Sequence, residues 1–193
     1  MSVLFWFSDD AWAADKFGQT VPHQLEQTVA EARKLRLPYL REMYNPKKSV
    51  ELLEGVIKRK PDYFRAYFNL GLAYHELGDY EKAKMAFDKA LEIRAAENLN
   101  DFSVVNTAGW VSMNHGDFER AEKLLKEAER LAQGSGTFTE GATQGNLGEL
   151  YYLTQDFDKS KQYFIRSRDE YDNQSAQFYL DQIDAIEKKK KVN

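Results

Sequence analysis

The side chains best suited to metal or proton chemistry in this chain are three histidines, His23, His75 and His115. They fall in three separate segments, and none pairs with a carboxylate at metal-ligand spacing. Cysteine is absent, which removes disulfides, thiolate metal sites and a cysteine nucleophile. The stretch 134-GSG-136 lacks a following lysine and reads as a turn rather than a phosphate cradle. The many Asp and Glu residues fall on expected outer helix faces or at helix starts, where solvated or capping roles suffice. An enzyme needs convergent polar groups in a pocket. No such set is legible, so the expectation is a non-catalytic protein with no cofactor and no metal.

The elements that carry these residues follow from composition and spacing. The chain has 193 residues, enough for one domain or one continuous array with a real core. Hydrophobic residues make up 42% and charged residues 30%, so the chain reads as soluble and folded. The formal net charge of -4, with both signs interspersed, argues against nucleic acid as a partner. Four prolines and eleven glycines leave room for long helices.

The segment 77-LGDYEKAKMAFDKAL-91 has a near copy at 115-HGDFERAEKLLKEAE-129 and a looser one at 154-TQDFDKSKQYFIRSR-168. Gly71, Gly109 and Gly148 mark the register, 38 and 39 residues apart. Gly78 and Gly116 follow the first two; Gln155 stands in the third place. Acid–aromatic pairs come next: Asp79-Tyr80, Asp117-Phe118 and Asp156-Phe157. Small residues (Ala83, Ala121, Ser160), large ones (Phe87, Leu125, Phe164) and small ones again (Ala90, Ala128, Ser167) complete each unit. A repeat of this period signals a solenoid. Tyr67, Leu70, Gly71 and Tyr74 share one helical face, as do Ala83, Phe87, Ala90 and Leu91. Gly78 can end one helix in a left-handed conformation while Asp79 caps the next. Each unit is then a helix-turn-helix hairpin that cannot bury its apolar face alone.

This pattern resembles the tetratricopeptide repeat family, of the extended-helix type found in the kinesin-light-chain and bacterial peptide-receptor branches. Residues 64–97 match the family pattern nearly throughout, 102–135 keep Gly109, Gly116, Ala121 and Ala128, and 141–174 keep Leu147, Gly148, Tyr151 and Phe164. The resemblance implies an all-α, right-handed α-solenoid of helix-turn-helix repeats. A degenerate pair of helices over 23–63 is expected to precede the repeats, with 24–44 as one helix interrupted at Pro38 and 47–60 as its partner. Residues 175–193 read as a capping helix with Ala176, Tyr179, Ile183 and Ile186 on one face, followed by a basic tail. Within 1–22, residues 8–17 suggest a short helix between Ser8 and Gly18.

The resemblance also implies that the first helix of each repeat lines a concave groove. That line would be Arg65, Phe68, Asn69, Leu72 and His75, then Ser103, Asn106, Trp110 and Met113, then Ala142, Gly145, Asn146, Glu149 and Tyr152. Phe68, Leu72, Trp110, Met113 and Tyr152 are too apolar for an ordinary solvated face. Trp110 follows Gly109 directly and could instead tuck against the next unit. Asn69, Asn106 and Asn146 recur beside them. An asparagine amide donates and accepts, so a row of them can hold an extended peptide backbone while aromatic and methionine side chains read its apolar residues. Ser103 and Ala142 stand where the family's carboxylate clamp would want basic residues, which argues against binding of chaperone tails.

The functional expectation is therefore a scaffold or adaptor that binds a peptide or helix of another protein. The rival is a structural subunit or membrane-associated assembly factor working through end faces, with Phe178 as a candidate for self-association. The apolar stretch 2-SVLFWF-7 is far too short to span a bilayer. It packs on the first helices or, as Val3–Phe7, meets a membrane or partner. The run Lys188–Lys191 suits a helix C-terminus, and also an anionic membrane or acidic partner.

Overall fold

A computed structural model describes residues 12–14, 19–37, 42–99, 101–134 and 138–192. The chain divides into two compact units, Met1–Asp101 and Phe102–Asn193.

The first unit holds a two-stranded antiparallel ribbon, β1 (Trp12–Ala14) and β2 (Thr20–Pro22), and the helices α1 (His23–Leu35), α2 (Pro46–Arg59), α3 (Phe64–Glu76) and α4 (Tyr80–Ala96). Each helix packs on the next in sequence, and α1 also touches α3. The helix expected over 8–17 is not formed at residues 12–14; Ala13 pairs with Val21 instead. Extended pairing satisfies the backbone and leads through Pro22, itself extended, into the first residue of α1. Ser8 and Gly18 lie outside the described residues. Helix α1 ends at Leu35, before Pro38, which also lies outside them. Pro46 opens α2, and the Asn45 side chain accepts from the Lys48 amide. Asn45-Pro46 thus does the capping work of the acid–aromatic pairs.

Gln19, which carried no signal in the sequence, is 3% exposed and holds this unit together. Its side-chain carbonyl accepts from the Phe64 amide at the start of α3, at 3.1 Å, and its amide donates to Glu97 Oε2 at 2.8 Å. Tyr63, at the N-cap of α3, makes no side-chain cap, and Gln19 satisfies the buried helix end in its place. Val21, Leu25 and Val29 join Leu53, Val56, Leu70 and Ala73 in one apolar core.

The second unit holds α5 (Ser103–Asn114), α6 (Phe118–Ala132), α7 (Phe138–Leu153), α8 (Phe157–Tyr171) and α9 (Ser175–Val192). Again each helix packs on the next, and α7 touches both α5 and α9. On α9, Ala176, Leu180 and Ile183 are buried with Phe164.

Spacing turns into packing at the register glycines. A Cβ on Gly71 would lie 2.9 Å from the Phe87 ring, one on Gly109 2.8 Å from Leu125, and one on Gly148 2.8 Å from Phe164. Each glycine lets the large residue of its own hairpin reach the backbone of the facing helix. Turn chemistry repeats as well. Gly78 and Gly116 have φ of 74° and 79°, and Gln155 occupies the same left-handed region at 63°. Asp79, Asp117 and Asp156 accept from the amides of Lys82, Arg120 and Lys159. In the third hairpin the buried Ser160 and Ser167 hydroxyls donate to the carbonyls of Gly148 (2.8 Å) and Gly141 (3.2 Å). Serine thus stands where the other hairpins use alanine without leaving a buried donor unpaired.

Candidate functional site

The residues expected to line a groove sit on α3, α5 and α7. In the first unit, Arg65 reaches Glu26 of α1 at 3.1 Å, a half-buried ion pair between first helices of successive hairpins. Phe68 is half-buried, its ring tilted against Phe87 at 6.1 Å. Leu72 and His75 are half-buried. Asn69 is buried, and its amide donates to the Arg65 carbonyl of its own helix at 2.8 Å.

In the second unit the geometry is more telling. The Asn146 amide on α7 donates to Asn106 Oδ1 on α5 at 3.0 Å. This bond uses one donor of Asn146 and one acceptor of Asn106. Among the described residues, the Asn106 amide and the Asn146 carbonyl have no further side-chain partner. They border a small pocket of about 190 Å³ with Thr107 and Trp110. Trp110 is half-buried against the core of this unit. Met113 is a correction. At 2% exposed it lies among Leu125, Leu147 and Leu150, so it fills the core rather than an open face. Two consecutive hairpins cover it, which helical spacing within its own hairpin does not reveal.

Further along α7, Glu149 accepts from the Tyr179 hydroxyl of α9 at 3.2 Å, and Tyr152 meets the Tyr179 ring edge-on at 5.4 Å. Tyr179 also stacks on Phe164 at 4.5 Å. Burial first, then the charge of Glu149, raises the Tyr179 phenol above its ordinary range. A groove of about 900 Å³ opens between α7, α8 and α9. Ala142 and Gly145 form one wall with Asn146 and Glu149, Phe164 lies in the floor, and Asn173 and Tyr179 face them. Asn173 donates to the Ser167 hydroxyl at 2.9 Å and accepts from Ser175 at 2.6 Å, which fixes the turn into α9. The α9 wall was missed in the sequence reading of the site. The available signal was the apolar spacing of α9, which matches the first helix of another hairpin.

The histidines do not converge with these residues. His23 bonds Gln27 on α1 at 2.9 Å, and His115 caps the end of α5. Among the described residues, no group of three or more His, Asp or Glu side chains is placed to hold a metal ion, and no helix is long and apolar enough to cross a membrane.

The paired antiparallel helices, the register glycines and the Asp-capped turns define a helical-hairpin repeat protein of the all-α class. Residues 64–97 match the tetratricopeptide repeat family. Solved structures share the fold. PilF of Pseudomonas aeruginosa is 20% identical, with 86% of this chain and 72% of that chain covered and a TM-score of 0.70. BtubC (BKLC) from P. vanneervenii is 24% identical, with 78% and 72% covered and a TM-score of 0.62. A Podosopora anserina putative kinesin light chain with nearly identical TPR-like repeats is 16% identical, with 86% and 96% covered and a TM-score of 0.63. A search of curated proteins gives no significant match. Tetratricopeptide repeat proteins mediate protein–protein interactions or assembly, and the fold generally serves as a non-catalytic scaffold.

Proposed function

We propose that this protein is a non-catalytic interaction scaffold or adaptor. It holds a peptide or short helix of a partner protein against the first helices of its repeats, with the groove between α7 and α9 as the principal seat. The observation that carries this reading is the groove itself. It encloses about 900 Å³, has small side chains at Ala142 and Gly145, and offers aromatic surface at Tyr179. Such a mixture supports backbone recognition with a few apolar anchors. The open amide of Asn106 and carbonyl of Asn146 extend the same face toward Trp110. Arg65, Phe68, Leu72 and His75 offer the equivalent surface on α3, with Asn69 turned to its own helix.

The test is selection of binding peptides from a displayed library, followed by affinity measurement on wild type, Glu149→Lys and Ala142→Trp. Loss of about tenfold or more in both variants, with unchanged helicity, supports the groove. Equal affinity in both variants sinks it.

A second reading, a structural subunit joined through an end face, is favoured by Phe178 on α9, which is 63% exposed. Sedimentation of wild type and Phe178→Ser decides that point. The stretch Val3–Phe7, the candidate membrane or partner contact, lies outside the described residues.

A further inference from the structure

Among the helices α5 to α8, every lysine and arginine lies on α6 or α8; α5 and α7 carry none. The groove between α7 and α9 inherits that bias. Glu149, Asp169, Glu170 and Asp172 border it, against a single guanidinium, Arg168. Arg168 is already committed. Its Nε and Nη2 donate to Asp169 at 2.6 and 3.2 Å, and its Nη1 donates to Gln177 at 2.7 Å. Glu170 is held by Arg166 at 3.0 Å. Glu149 and Asp172 are left with no cationic partner among the described residues.

The bonds these two carboxylates do make leave capacity for a cation. Glu149 is half-buried, and its Oε1 accepts from the Tyr179 hydroxyl at 3.2 Å. Its second oxygen has no hydrogen bond among the described residues. Asp172, exposed at the turn into α9, accepts from the Gln174 amide at 2.5 Å. Like charges gathered in one cleft repel, and protein walls weaken the screening by water. A cation that enters relieves the repulsion; an acidic chain adds to it. Tyr179 supplies apolar surface beside Glu149, its ring stacked on Phe164 at 4.5 Å. A lysine or arginine stem can lie along such a ring with its charge at the carboxylate.

We propose that the α7–α9 groove selects a cationic peptide, with one lysine or arginine side chain seated on Glu149 along the Tyr179 ring. The proposal rests on the peptide-groove reading and names the charge of the occupant. The probe is a displayed library of random dodecapeptides, selected on the full chain and counter-selected on Ala142→Trp, which obstructs the groove for any peptide. Recovered sequences should be enriched in lysine and arginine over the starting library. The best binder, and counterparts with glutamine for one cation at a time, are then titrated by fluorescence polarisation against wild type and Glu149→Gln. Glutamine keeps an acceptor for Tyr179 and removes only the charge. The parent peptide should lose about fivefold on Glu149→Gln, and the counterpart lacking the seated cation less than about twofold. Binding of the parent peptide should also weaken as salt rises from about 50 to about 500 mM. Groove-dependent peptides without cationic enrichment, or an equal effect of Glu149→Gln on the parent and every counterpart, overturn the charge selection and leave the groove reading standing. Recovery of no peptide sensitive to Ala142→Trp overturns both. Self-association in sedimentation that competes with peptide makes a second copy the occupant and overturns the proposal as well.

Discussion

Asn146 and Asn106 are joined side chain to side chain at 3.0 Å, although they lie 40 residues apart and on different helices. The bond ties α7 to α5 and spends only part of each amide. Asn106 is 8% exposed, so loss of its partner leaves a largely buried carbonyl unpaired. Asn146→Ala should therefore cost about 1–3 kcal/mol of stability, and Asn106→Ala a similar amount. The double variant should cost clearly less than the sum, because no orphan then remains. Urea unfolding of the four proteins checks this, and strict additivity would show that the bond does not persist in solution.

Gly71 carries the second prediction. With 2.9 Å between an added Cβ and the Phe87 ring, Gly71→Ala should destabilise by about 1–3 kcal/mol, and by much less in a Phe87→Ala background. Gly55, in the middle of α2, has nothing within 4 Å of a Cβ. There the same substitution should stabilise by about 1 kcal/mol through helix propensity. Thermal melts that move both variants in one direction would show that crowding does not set the register.

Gln155 holds the left-handed turn position that Gly78 and Gly116 occupy in the other hairpins, with φ of 63°. A side chain there is strained, and glycine relieves the strain at some cost in unfolded-state entropy. Gln155→Gly should raise stability by about 0.5–1 kcal/mol. A lowered melting temperature would mean that the Gln155 side chain contributes more than its backbone costs.

Tyr74 donates to Glu54 at 3.1 Å, and burial, followed by that bond and the charge of Glu54, pushes its phenol to about 12. An unfolded tyrosine titrates near 10. Above that pH the unfolded chain loses a proton that the folded chain keeps. The stability contribution is therefore complete below about pH 10 and lost as pH rises toward 12. Tyr151, bonded to Glu122 at 2.7 Å, is raised in the same direction, first by burial and then by Glu122. Urea midpoints should fall across this window, less steeply in Tyr74→Phe. An identical pH profile in that variant would remove Tyr74 from the account.

What was legible in the sequence is what short-range physics fixes. Gly71, Gly109 and Gly148, the residues facing them, and the Asp caps at 79, 117 and 156 all act within one hairpin. Spacing and turn chemistry suffice to place them. The tertiary structure decided what neighbouring elements cover. Met113 became core because α6 and α7 close over it. Asn69 turned to its own helix, while Asn106 found Asn146. Residues 12–14 paired as a strand because Thr20–Pro22 offered an extended partner. Gln19 closed the first unit through Phe64 and Glu97, contacts 45 and 78 residues distant. A face of a repeat helix is apolar or polar by sequence. Whether it is open depends on the helix that packs beside it, and no periodicity within the hairpin contains that information.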